Sequence, residues 1–124
     1  MTRIFLLLVA AIVIAYGLAC AVDPGLPARL AGLQILNGDG FAEMGAMYGG
    51  LQIGFGLFLL VAALRPGLQE AALLLLLLVM GLLAAMRGSS TLRAEELVTA
   101  YTWGALAFET LVTAGAAALW LRQR

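Results

Sequence analysis

The sequence predicts an all-α fold: a four-transmembrane-helix antiparallel bundle with a short interfacial helix between the first two spans. Three observations predict it. Apolar residues make up 64% of the chain and charged residues 11%, against about 45–50% and 25% in soluble domains. Four apolar runs are each long enough to cross a hydrocarbon core of about 30 Å at 1.5 Å of rise per residue. The second run carries Gly45, Gly49, Gly50, Gly54 and Gly56. Each would cost a water-exposed helix about 0.8–1 kcal/mol relative to Ala. In lipid, unpaired backbone groups are costly enough to hold the helix together, and small residues let neighbouring backbones approach. At 124 residues, a single integral membrane domain over 1–124 is the expectation.

The first span is read over residues 4–22. It follows Arg3, as a signal peptide could, but its apolar run exceeds a usual signal core of about 7–15 residues. Asp23-Pro24-Gly25 stops it, because Pro is excluded from helix interiors. Leu26, Leu30, Leu33 and Ile35 or Leu36 recur at helical spacing over 26–36, which predicts a short amphipathic helix lying in the interface. Asn37-Gly38-Asp39-Gly40 interrupts it, and Asn37 or Asp39 can cap the second span.

The second span is read over 41–64. At about 100° per residue, Gly45, Tyr48, Gly49, Gln52 and Gly56 gather on one side, with Glu43, Gly50 and Gly54 on the other. Two small or polar sides predict contact from two directions and a central place in the bundle. Plain helix packing accounts for the glycines, and interhelical hydrogen bonds account for Tyr48 and Gln52. Arg65-Pro66-Gly67 is a tight turn, which makes the second and third spans antiparallel neighbours. The third span is read over 68–87, with a loop over 87–93. The fourth is read over 95–121, with Ser90 or Thr91 as its cap and Glu95 and Glu96 in its first turns.

Zero net charge, with seven Arg against seven acids and no basic cluster, argues against a nucleic-acid partner. With no His and one Cys, neither a protein-built metal site nor any other cofactor is expected. No phosphate loop or nucleophile elbow is present, so the sequence leans away from an enzyme. Met44, Met47, Met80 and Met86 read as gap-filling core. Four crossings put Arg3, Arg65, Arg122 and Arg124 on one side and Arg29, Arg87 and Arg93 on the other, which predicts cytoplasmic termini in a bacterial inner membrane.

Glu109 is the anomaly. It lies about 12 residues from either end of the expected fourth span, roughly 18 Å by helix rise and so near the bilayer centre. A carboxyl there faces a partner, a cavity or a pathway. Thr102, Ala105, Thr113 and Ala116 share its face. It is either a proton-handling or ligand-anchoring group, with Tyr48, Gln52 and Thr113 lining the same cavity, or an acid that ties helices together. Arg87, at the end of the expected third span, sits too near the surface to reach it, so Glu43–Arg87 is the expected pair, with a lipid phosphate as the alternative partner of Arg87. Tyr101, Trp103 and Trp120 mark the ends of the fourth span as an aromatic belt, and Trp103 can wall a pocket near Arg87.

Glu43-Met-Gly-Ala-Met-Tyr-Gly-Gly50, with Asp23-Pro24, Met86-Arg87-Gly88 and Glu109, resembles the small four-helix bacterial membrane proteins grouped as a domain of unknown function. The resemblance spans nearly the whole chain. In that pattern the second helix reads roughly E-x-R-A-x-Y-G-G. Gly45 stands here where the pattern has Arg, which implies that Glu109 has lost a helix-2 partner. The family supplies a fold expectation and no activity.

Three functions fit. The first is an accessory, packing or partner-binding subunit of a larger membrane assembly or homo-oligomer. The second is a binder or enzyme for a small apolar lipid or isoprenoid built on Glu109, and the third is a proton-coupled small exporter. Membrane lipids are partners in each.

Overall fold

The computed structural model describes residues 1–123. All of its regular structure is helical. Four stretches are long and apolar enough to cross a membrane: Thr2–Val22, Gly38–Leu64, Pro66–Arg93 and Ala100–Leu121. Arg124, counted above among the charges at the C-terminal end, lies outside the described residues. The chain divides into two compact units, Arg3–Pro66 and Gly67–Arg124 with Met1–Thr2.

The first unit is a helical hairpin with a short helix at its turn. Helix α1 (Thr2–Val22) ends where Asp23 and Pro24 begin the next turn. Helix α2 (Gly25–Ala31) is the piece between spans, and it is shorter than the 26–36 expected. Gly32 adopts φ 71°, a left-handed conformation open to Gly, and both its N–H and that of Leu33 donate to the Ala28 carbonyl. That closure ends the helix before the rest of the expected stretch. Asn37 caps the second span, its side-chain oxygen accepting the Gly40 N–H at 3.0 Å.

The second span is one continuous rod of three parts: α3 (Gly38–Met44), a π-helical segment (Gly45–Gly50) and α4 (Leu51–Leu64). The π turn falls where the glycines are densest, and a close neighbour packs along it. The neighbour is α1. A Cβ added at Gly49 would lie 3.1 Å from the Ala21 Cα, and one at Gly17 would lie 2.9 Å from the Ile53 backbone nitrogen. At Gly56 an added Cβ would meet the Ala10 carbonyl oxygen and the Ile14 nitrogen, each at 3.2 Å. Leu6, Val9, Ala10, Val13 and Cys20 of α1 are buried, as are Leu59, Ala62 and Ala63 of α4.

The other side of the second span is open within its own hairpin. A Cβ added at Gly50 or Gly54 meets nothing within 4 Å among the described residues. Met47, Leu51, Leu57 and Val61 are exposed beside them on the same face.

The second unit is an antiparallel hairpin of α5 (Gln69–Arg93) and α6 (Ala100–Leu121), entered through a 3-10 turn at Pro66–Leu68. Both inner boundaries differ from expectation. The stretch read as a loop over 87–93 is helix, because Gly88-Ser-Ser-Thr contains no Pro and its polar groups bond along the helix. The Ser89 hydroxyl donates to the Met86 carbonyl at 3.0 Å, and Arg93 Nε donates to the Ser89 carbonyl at 3.2 Å. Ser90 and Thr91 therefore belong to α5 and do not cap α6. Helix α6 begins at Ala100 behind Thr99, and Glu95 and Glu96 lie in the connector. A Cβ added at Gly81 would sit 3.4 Å from Thr113, and one at Gly88 3.9 Å from Leu106, which fixes the antiparallel register.

Candidate functional site

That register brings Arg87 level with Glu109. Arg87 Nε donates to Glu109 Oε1 at 3.1 Å and Oε2 at 2.9 Å, and an Arg87 Nη donates to Oε1 at 2.7 Å. The arrangement is a forked, charge-assisted clasp, the strongest geometry for this pair of groups. The Glu109 side chain is 7% exposed and that of Arg87 29%. The acid is thus enclosed, while the Arg87 side chain is partly exposed. Thr113, one turn on, donates its hydroxyl to the Glu109 backbone carbonyl at 2.7 Å and leaves the carboxylate to Arg87.

The expected Glu43–Arg87 pair is corrected by this geometry: Arg87 is bound to Glu109. Two boundary shifts account for it. Arg87 lies about six residues inside the end of α5, about 9 Å by helix rise, whereas the sequence places it at the end itself. Glu109 lies about nine residues inside the start of α6, about 14 Å, and so is shallower than the sequence suggests. The remaining difference is within the reach of an Arg side chain. The resemblance implies a partner lost from the second helix, and α5 supplies one instead.

Beside the clasp is an open groove of about 450 Å³. Leu83, Met86, Arg87, Ser90 and Thr91 of α5 line one wall, and Thr102 in the first turn of α6 lines the other. The connector closes one end through Ala94 and Val98. Residues 83, 87, 90, 91 and 94 recur at three- and four-residue spacing, so continuing α5 past Arg87 is what builds this wall. Sequence reasoning misses Ser90 and Thr91 as groove residues because Gly-Ser-Ser-Thr resembles a loop.

The remaining candidate residues are not among the partners of the clasp. Glu43 is exposed, and Tyr48 and Gln52 are half-buried, all in the first unit. Gln52 packs by its Cβ beside Gly17. Trp103 is 55% exposed near the start of α6. Outside the spans, Arg29 donates to Asp23, and the guanidinium holds the Asp23 carboxyl below its ordinary value. The Asp23 carboxylate also accepts the Gly25 N–H at 3.0 Å, tying the end of α1 to α2.

No curated protein and no solved structure matches the chain. The sequence model of one family, "Domain of unknown function (DUF4345)", matches residues 1–121. With the match covering nearly all of a chain of four apolar helices, this protein belongs to the DUF4345 family.

Proposed function

We propose that the protein is a non-catalytic membrane subunit that binds a helix of a partner membrane protein along the open side of its second span. The observation that carries this reading is the contrast among its glycines. Gly49 and Gly56 are filled by α1, whereas Gly50 and Gly54 offer the same close approach with nothing within 4 Å of an added Cβ. Glycine on a lipid-facing side gives up contact area without return, while against another helix it permits tight packing. The neighbouring Met47, Leu51 and Leu57 supply an adaptable apolar rim. The Glu109 carboxylate is held in the Arg87 clasp, which suits a part of the scaffold better than a proton carrier. We place the chain in a bacterial inner membrane with cytoplasmic ends, on the positive-inside vote of Arg3, Arg65 and Arg122. Arg87, engaged within a hairpin, no longer counts on the opposite side.

The test is photo-crosslinking in cells from position 57, on the exposed rim beside the glycines, in the wild-type background and with Gly50→Leu or Gly54→Leu. A discrete protein adduct at position 57, lost in both glycine variants while helix content and expression stay unchanged, is the expected result. Adducts to lipid alone, or a protein adduct indifferent to Gly50→Leu, would sink the reading.

A further inference from the structure

The groove beside the Arg87–Glu109 clasp is open along one side and lined by both polar and apolar groups, and the character of a molecule lying in it follows from its charges. Its volume of about 450 Å³ falls within the roughly 300–1,000 Å³ usual for small-molecule pockets. Its polar lining is rich in donors: the Arg87 guanidinium and the hydroxyls of Ser90, Thr91 and Thr102. The Arg87 charge is already answered by Glu109 through a forked contact. An anion entering the groove would therefore meet a neutral pair and gain little Coulomb energy to offset its own desolvation. A cation would find no carboxylate among the groove's lining residues. A neutral head of ester or carbonyl oxygens can accept these donors without bringing in charge.

The apolar half of the site extends away from that head. Leu83 is 44% exposed and Met86 61%, and Val79, one turn below Leu83, is also exposed. These side chains form a strip along α5 leading from the groove toward the middle of the span. The polar groups of the groove, Ser90, Thr91 and Thr102, lie toward the α5–α6 connector, and the apolar strip leads from them into the span.

We infer that this groove binds a neutral single-chain lipid ester of the monoacylglycerol class. Its ester and hydroxyl oxygens accept hydrogen bonds from Arg87, Ser90, Thr91 and Thr102, and its chain lies along Leu83 and Val79. Glu109 is a positioning residue here, holding the guanidinium at the groove wall. The inference concerns a ligand on α5 and α6 and does not depend on the partner face of the second span.

Trp103, next to Thr102, provides a reporter once Trp120 is replaced by Phe. The full chain in nanodiscs is titrated with a monoacylglycerol carrying a brominated chain, and in parallel with the matching brominated fatty acid. Quenching of Trp103 that saturates with the glycerol ester is expected, with the ionised fatty acid binding more weakly. Thr91→Val, which removes one hydroxyl at nearly constant volume, should weaken the ester about fivefold, the worth of one net hydrogen bond. Ser90→Leu, at an exposed position, should abolish saturation by filling the groove while circular dichroism stays unchanged. Quenching that rises linearly with ester content, or that saturates equally in Ser90→Leu, would overturn the site. Tighter binding of the fatty acid would overturn its assignment to a neutral head.

Discussion

The two hairpins hold themselves together by opposite means. In the first, α1 and the second span approach until backbone touches backbone: Gly17 faces the Ile53 nitrogen and Gly49 faces Ala21. In the second, α5 and α6 also come close at Gly81, but they carry a part-buried ion pair, an enclosed Glu109 held by a partly exposed Arg87, that the first hairpin lacks among the described residues. Shape complementarity fails when volume is added. A buried ion pair fails when one charge is removed and the other is stranded. The two regions should therefore respond to different substitutions.

The largest effect is expected at the clasp. Arg87→Met strands the enclosed Glu109 carboxylate and should cost about 3–5 kcal/mol, whereas Glu109→Leu leaves a partly exposed Arg87 that can turn toward water and should cost less. Thermal unfolding followed by circular dichroism in a fixed detergent would measure it, and hydrogen exchange would place the loosening in α5 and α6. Next comes Gly17→Val, whose Cβ would sit 2.9 Å from a backbone nitrogen that cannot swing aside. Overpacking of this kind costs about 1–3 kcal/mol, and faster exchange should appear in α1 and α4. Gly54→Leu, on the open face, should change stability by no more than about 0.5 kcal/mol, as ordinary surface substitutions do. A large loss at Gly54 would mean that its side of the helix is already occupied and would erase the contrast between the two faces.

The smallest effect is expected at the exposed Asp23–Arg29 pair and shows as a pH dependence. Arg29 lowers the folded-state pKa of Asp23, so the stabilising contribution is fully present above the unfolded value of about 3.9. It is lost as pH falls through the lowered folded value. Wild type and Asp23→Asn should accordingly differ slightly at neutral pH and converge at the acid end.

The parts of this fold governed by composition are legible in the sequence. Four apolar runs and the Asn37 cap follow from residues whose physical preferences are strong and local. The tight approach at Gly49 and Gly56 follows from spacing along one helix face. Helix ends are harder. Gly32 stops α2 by turning left-handed, whereas Gly88 continues α5, and Gly itself permits both. A boundary misplaced at Gly88 propagates into the site. With α5 stopped at Arg87, the guanidinium stands about 18 Å above Glu109 by helix rise, and the acid has no cation. Extending α5 to Arg93 brings the pair together and creates the groove wall of Ser90 and Thr91. The open face at Gly50 and Gly54 is not legible in the sequence, because small residues mark where a helix can be approached and do not say what approaches it.

The second hairpin is fastened by a paired charge whose halves are costly only when separated. A double-mutant cycle at Arg87 and Glu109 measures that coupling. The double variant Arg87→Met, Glu109→Leu should recover most of the stability that each single variant loses, since an apolar pair of similar volume strands no charge. Single variants as stable as the wild type, or a double variant whose loss is simply the sum of the two, would show that the two charges do not fasten the hairpin as a pair.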